Sequence, residues 1–140
     1  MKALTVKQPW AGLIIEGYKK YEFRSWKTNY RGKILIHAGL SFDKDRLDQV
    51  KNYNLIYKTG TIIGEADLVD CILVDEQMDN NLRKINPIIY VKNHVGKYAW
   101  KLENKKNIVI LYLLKENLDY GIIKFKKKEI HVYSYFLLFI

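Results

Sequence analysis

Every run of regular hydrophobic spacing in this chain is short, and most of them read as strands rather than helices, which limits the accessible folds more than any other property of the sequence. In "KKYEFRSW" Tyr21 and Phe23 fall on one side and Lys20, Glu22 and Arg24 on the other, the period of a strand with one face toward a core. "GKILIHAG" is apolar at consecutive positions Ile34, Leu35 and Ile36, as expected of a central strand. "GTIIGEADLVDCILVD" reads as a long strand in which Gly64 marks a bulge where the sheet bends. Strand character returns in "KYAWKLENKKNIVILYLL" and again in "GIIKFKKKEIHVYSYFLLFI".

Helical spacing is scarce. "PWAGLIIEG" predicts a short helix, with Pro9 at its start, Trp10, Leu13 and Ile14 on one side and Gly17 as its stop. "SFDKDRLDQVKNYN" predicts a surface helix capped by Ser41 or Asp43. Residues 76–97 are polar, contain Pro87, and predict a loop with one short helix. Strands joined this way fit an α+β fold, a small closed or half-closed β-barrel with a short N-terminal helix and one further surface helix. A doubly wound parallel sheet is disfavoured, because strands and long helices do not alternate.

At 140 residues, without a repeat or a linker, the chain is expected to be one domain over residues 1–140. The lone Cys71 cannot form an internal disulfide, and "MKALTVKQPW" lacks the apolar stretch of a signal peptide. "YFLLFI" is far too short to cross a bilayer. The expectation is therefore a cytoplasmic monomer without membrane contact. His37, His94 and His131 lie far apart, and a single cysteine adds no pair at zinc spacing, so neither a metal site nor a cofactor is expected.

The net charge of +9 is distributed unevenly. Residues 1–37 hold eight Lys/Arg against two acids, residues 38–79 four against nine, and residues 80–140 twelve against four. Basic ends around an acidic middle are compatible with one basic face meeting a polyanion, although a lysine-rich composition also follows from AT-rich coding.

No glycine-rich phosphate loop, nucleophile elbow or Cys/His pairing is present, which removes most familiar enzyme classes. What remains is the stretch from residue 4 to 32, where Trp10 and Trp26 bracket Lys19, Glu22, Arg24 and Arg31. A lysine desolvated by apolar walls can act as base or nucleophile near neutral pH, with Glu22 as its acidic partner. Exposed indole faces offer stacking surfaces for nucleobases, with Arg31 and Lys33 placed for phosphates. On spacing alone, a solvated strand edge with ordinary ion pairs fits these residues better than a cleft. Trp100, within "YAWKL", is expected in the core.

The same stretch resembles the opening of the ASCH domain family. The matching residues are Gln8, Pro9, Trp10, Ala11, Gly17, Lys19, Glu22, Arg24, Ser25, Trp26, Arg31 and Gly32, in order, and "GTIIGEADLVDC" and "YAWKLEN" resemble later family strands. The resemblance is clear to about residue 104 and weak beyond it. It implies a β-barrel like that of the PUA domain and binding of RNA or DNA, or of a nucleotide or nucleoside, in a cleft between the first helix and the barrel. Lys19, Glu22, Arg24, Ser25 and Arg31 become ligand contacts in that reading, with Gln8, Trp10 and Trp26 as supporting or stacking walls. Small bacterial relatives hydrolyse acetylcytidine with a Gly-x-Lys-x-x-Thr-x-Arg pattern, and a ribonuclease activity is ascribed to another member. Here Gly17, Lys19 and Arg24 are kept, but Glu22 stands in place of the threonine, and Glu65 on the later strand is the second candidate for the acidic partner that such a cleft implies.

Overall fold

The computed structural model describes residues 2–107. Within them five strands form one sheet in the spatial order β1-β3-β4-β5-β2. β1 (Lys2–Gln8) runs parallel to β3 (Gly32–Phe42). The other neighbours are antiparallel: β4 (Thr61–Leu73) to β3, β5 (Tyr98–Asn107) to β4, and β2 (Tyr21–Arg24) to β5. β1 and β2 are thus the two edges, yet Arg24 Nη2 of β2 donates to the Thr5 carbonyl of β1. The sheet curls far enough to bring its edges together, giving the α+β half barrel that the alternation predicts.

The short helix α1 (Trp10–Ile15) plugs this half barrel. Two turns expose little of their own surface when packed on both sides, and Ala11, Leu13, Ile14 and Ile15 are all buried. Ala11, Ile14 and Ile15 join Leu4, Val6, Ile34, Ile36, Ala66, Leu68, Trp100 and Leu102 in the main core. Leu13 points the other way, into a second cluster with Val50, Leu82, Ile89 and Tyr90. Each such aliphatic side chain contributes roughly 1.5–3 kcal/mol on burial, so α1 is held by tertiary packing, because six residues are too few for a stable helix alone. Gly17 takes φ +89° just beyond the helix, the left-handed conformation a glycine stop supplies at no steric cost.

Helix docking also explains Gly64. A Cβ there would lie 2.5 Å from Ile15 Cδ1 and 2.5 Å from the Lys106 carbonyl oxygen, so only glycine lets α1 and β5 approach β4 this closely. The β3–β4 ladder shifts register at the same place, between Ile36 and His37, which is the bulge expected there. Trp100 lies in the core as expected. Tyr21 and Phe23 share a face, and they pack on the second cluster.

One expectation is modified, and two features are made specific. The helix predicted from Ser41 shrinks to one turn, α2 (Lys44–Leu47), followed by a 3-10 segment over Asp48–Tyr53. Ser41 belongs to β3 and Asp43 takes the cap position, and along the 3-10 segment only Val50 is buried, too narrow a stripe to hold a longer helix. The polar stretch after Val74 holds a ten-residue helix, α3 (Glu76–Ile85), whose first turn is capped by Asp75 accepting from the Met78 amide. The sheet also contains one parallel pair, β1 and β3, with α1 and β2 in the connection between them. The strands expected beyond residue 107, the apolar "YFLLFI" and His131 lie outside the described residues. No helix among the described residues is long and apolar enough to cross a membrane.

Candidate ligand site at the barrel seam

Strand alternation sets the geometry. Because Tyr21 and Phe23 turn toward the second cluster, Glu22 and Arg24 share the opposite face of β2, at the seam where β2 meets β1. Lys19 precedes the strand; its amide donates to the Leu13 carbonyl at 2.9 Å, which ties it to the end of α1. Its Nζ then reaches both the Tyr21 carbonyl and Glu22 Oε2, the latter at 2.8 Å. Arg24 Nη2 lies 3.4 Å from Glu22 Oε1. Two cations therefore share one carboxylate, and Arg24 Nε, buried, finds no acceptor among the described residues.

Lys19 is only 4 % exposed, unusual for a lysine. Burial lowers its affinity for the proton, Glu22 acts in the opposite direction, and the net shift is downward from the ordinary lysine value. Its ammonium sits 5.1 Å from the centroid of the Phe23 ring, and the His94 ring stacks on that same phenyl at 3.7 Å. His94 is lowered to about 4, by burial and then by Lys19, against the pull of Asp79. Asp79, 1 % exposed, accepts from the His94 amide at 2.9 Å and from Arg83. Burial would raise the Asp79 carboxyl, but these donors outweigh it and hold it below the usual range. Sequence reasoning missed this Asp79–His94 pair; the spacing of Asp79 and Arg83 by four residues on a helix was the available signal.

The remaining expected site residues are placed differently. Trp26 is 52 % exposed, edge-on to Trp100 at 6.1 Å, with the Arg24 guanidinium 5.5 Å above its ring. Trp10 is half-buried between the two clusters, and its indole N–H donates to Asp43 at 3.2 Å. Of the two tryptophans it is Trp26 that stands beside Arg24. Gln8 is fully buried, accepting from the Gly12 amide and donating to the Lys58 carbonyl, so its amide serves the seating of α1. Ser25 is exposed in the bend after β2. Arg31 lies 3.3 Å from Asp70 and donates to the carbonyls of Thr28 and Tyr30. Glu65 pairs with Lys33 at 2.7 Å, in a group with Asp67, and makes no ion pair with Lys19 among the described residues. Among the described residues no three His, Cys, Asp or Glu side chains gather to hold a metal ion.

Two depressions flank β2. One, of about 340 Å³, lies against α3 and includes Tyr21, Asp75, Met78 and Leu82. The other, of about 550 Å³, lies along the β2–β5 pairing. Neither is lined by Trp10 or Trp26.

The family described as the ASCH domain matches residues 4–118. Activating signal cointegrator 1 from Homo sapiens is 35 % identical over 131 residues, covering 73 % of this chain and 22 % of the relative. The protein of the same name from Mus musculus is 27 % identical over 126 residues, covering 81 % and 21 %. This chain thus spans about a fifth of the length of these curated relatives. Among solved structures, the crystal structure of ASCH from Zymomonas mobilis is 16 % identical with a TM-score of 0.49, covering 99 % of this chain and 93 % of that one.

Proposed function

This chain belongs to the ASCH domain family, and from that membership we propose that its barrel seam binds RNA, seating one nucleotide against Trp26 and Arg24 with Lys19 adding charge from beneath. The observation that carries this reading is the Arg24 guanidinium held 5.5 Å above a half-exposed indole. A guanidinium fixed at a strand end by a carbonyl and a carboxylate is prepared for a phosphate or base oxygen through its remaining Nη donors. The open indole face beside it suits a base, whatever its identity, because every base has a π-face. Glu22 neutralises only one of the two cations, so the seam keeps a positive bias toward polyanions.

The test is the anisotropy of a labelled six-nucleotide RNA at several salt concentrations. Trp26→Ala is expected to weaken binding by roughly 5- to 150-fold, the range of one lost stacking contact of about 1–3 kcal/mol. Arg24→Ala should weaken it and flatten the salt dependence, whereas Lys44→Ala, on the exposed turn of α2, should do neither. Equal small effects from all three would leave only general electrostatics and overturn the cleft.

A second reading is favoured by one observation, the burial of Lys19 against Glu22 with a lowered proton affinity. A lysine in that state can take a proton from the attacking water and pass it, through Glu22, to the departing amine as the amide C–N bond breaks, in the hydrolysis of an N-acylated nucleoside. Acetylcytidine incubated with the protein and followed by chromatography distinguishes the two. Product that disappears with Lys19→Met in a folded variant favours the hydrolase, and unchanged acetylcytidine alongside salt-sensitive RNA retention favours binding.

A further inference from the structure

Positive charge collects at a second place, on the outer side of the β2–β5 pairing. The depression there, about 550 Å³, is bordered by Lys20, Lys101 and Lys105 against a single acid, Glu103. Glu103 is already within 2.8 Å of Lys101 Nζ. Among the described residues no carboxylate lies within ion-pair distance of Lys20 or Lys105. Glu103 balances one lysine at most, and like charges set together are unfavourable unless an anion joins them.

Lys105 is also positioned rather than waving in solvent. Asp67 pairs with Glu103 and Glu65 with Lys106, so Ala66 alone on β4 lies opposite both Asn104 and Lys105. This is a bulge, and Asn104 within it takes φ +48°. A bulge re-aims the side chain it carries. Lys105 Nζ donates to the Lys19 carbonyl at 3.1 Å, and its stem is half-buried. Burial, then Lys20 and Lys19, lower its affinity for the proton, against the pull of Glu103. The same residue, Lys19, thus meets Lys105 through its backbone and the seam through its side chain.

We propose that the Lys20–Lys101–Lys105 depression is a phosphate subsite, holding the phosphodiester of a nucleotide adjacent to the one at the seam. Its recognition of phosphate stands on its own; its place on a nucleic-acid strand rests on the proposed seam function. The subsite would fix the path of the strand, over β5 and away from the β3–β4 face.

Two probes on the whole chain test it. Inorganic phosphate is titrated into the isotope-labelled protein, following backbone amide resonances. Saturable shifts at Lys20, Lys101 and Lys105 that exceed those at Lys44 and Lys84 support the subsite; equal shifts at all five overturn it. A six-nucleotide RNA is then compared on the wild type, on Lys20→Ala, and on Lys20→Ala with Lys105→Met, which keeps the buried stem. The slope of log affinity against log salt is expected to fall by about 0.7 for each lysine removed. An unchanged slope in Lys20→Ala, an exposed position that leaves the fold alone, overturns the strand path. Phosphate-specific shifts and a reduced slope, in a protein whose RNA affinity ignores Trp26→Ala, support the subsite and sink only the seam reading.

Discussion

His94 illustrates how a single residue can be set by its neighbours. Its ring stacks on Phe23 at 3.7 Å, and its Nδ1 lies 3.5 Å from Asp79, which Arg83 already neutralises. Lys19 and Lys97 add positive potential, so the neutral imidazole is favoured and its pKa is lowered to about 4. The ordinary value near 6.5 applies to the unfolded chain, which therefore binds more protons between pH 6.5 and 4. Stability is then fully present above about pH 6.5 and declines as the pH falls toward 4, by at most about 3 kcal/mol. Asp79, held below its ordinary value, adds a further loss only under about pH 4. Urea unfolding between pH 4.5 and 7.5 should show the first decline in the wild type and lose most of it in His94→Phe, which keeps a ring against Phe23. An unaltered pH profile in His94→Phe would assign the decline to other groups. None of this was legible in the sequence, where His94 stands in a polar stretch without periodicity. The trio at the seam was better signalled, because strand alternation alone places Glu22 beside Arg24. What alternation could not supply was the burial of Lys19, which depends on the turn leaving α1.

At the scale of elements, the strands were the most legible, since a period of two survives wherever one face is buried. α3 was less so because few of its residues are buried: Met78 and Leu82 sit four apart, with Asp75 as cap, in an otherwise polar run. α2 was overextended for the opposite reason, apolar residues at helical spacing of which only Val50 is buried. The junction of α1, β4 and β5 is the tightest of these contacts. Gly64→Ala places a methyl carbon within 2.5 Å of both Ile15 Cδ1 and a backbone oxygen of Lys106, and a backbone oxygen in a ladder cannot swing aside as a side chain can. Overpacking of this kind costs about 1–3 kcal/mol, so the urea midpoint should fall with little change in slope. Gly64→Ala paired with Ile15→Val should recover only part of the loss, because the carbonyl contact remains. Complete recovery would show that Ile15 alone sets the requirement.

Over the whole molecule, charge that is segregated along the sequence is recombined by the fold. The antiparallel pairing of β3 with β4 lays the basic first segment against the acidic middle one: Lys33 meets Glu65 at 2.7 Å and Asp67 at 3.9 Å, and Arg31, just before β3, meets Asp70 at 3.3 Å. Lys19, Lys20 and Arg24 come from that same segment but lie on the far side of the sheet order, next to β5, where acids are few. The sheet thereby spends its acidic strand on one flank and leaves the β2–β5 flank positive. A sequence alone shows the three charge blocks but not which of them the ladder will pair. The consequence concerns Arg31, expected from the sequence resemblance to be a ligand contact. Its guanidinium is committed to Asp70 and to two carbonyls, so Arg31→Ala should leave both RNA affinity and its salt slope near the wild-type values while Arg24→Ala reduces both. The pair with Asp70 is exposed and worth no more than about 1 kcal/mol, so a phosphate of sufficient attraction could displace it. A loss in Arg31→Ala equal to that in Arg24→Ala would therefore extend the binding surface across the β3–β4 flank, and would exclude a strand path confined to β2 and β5.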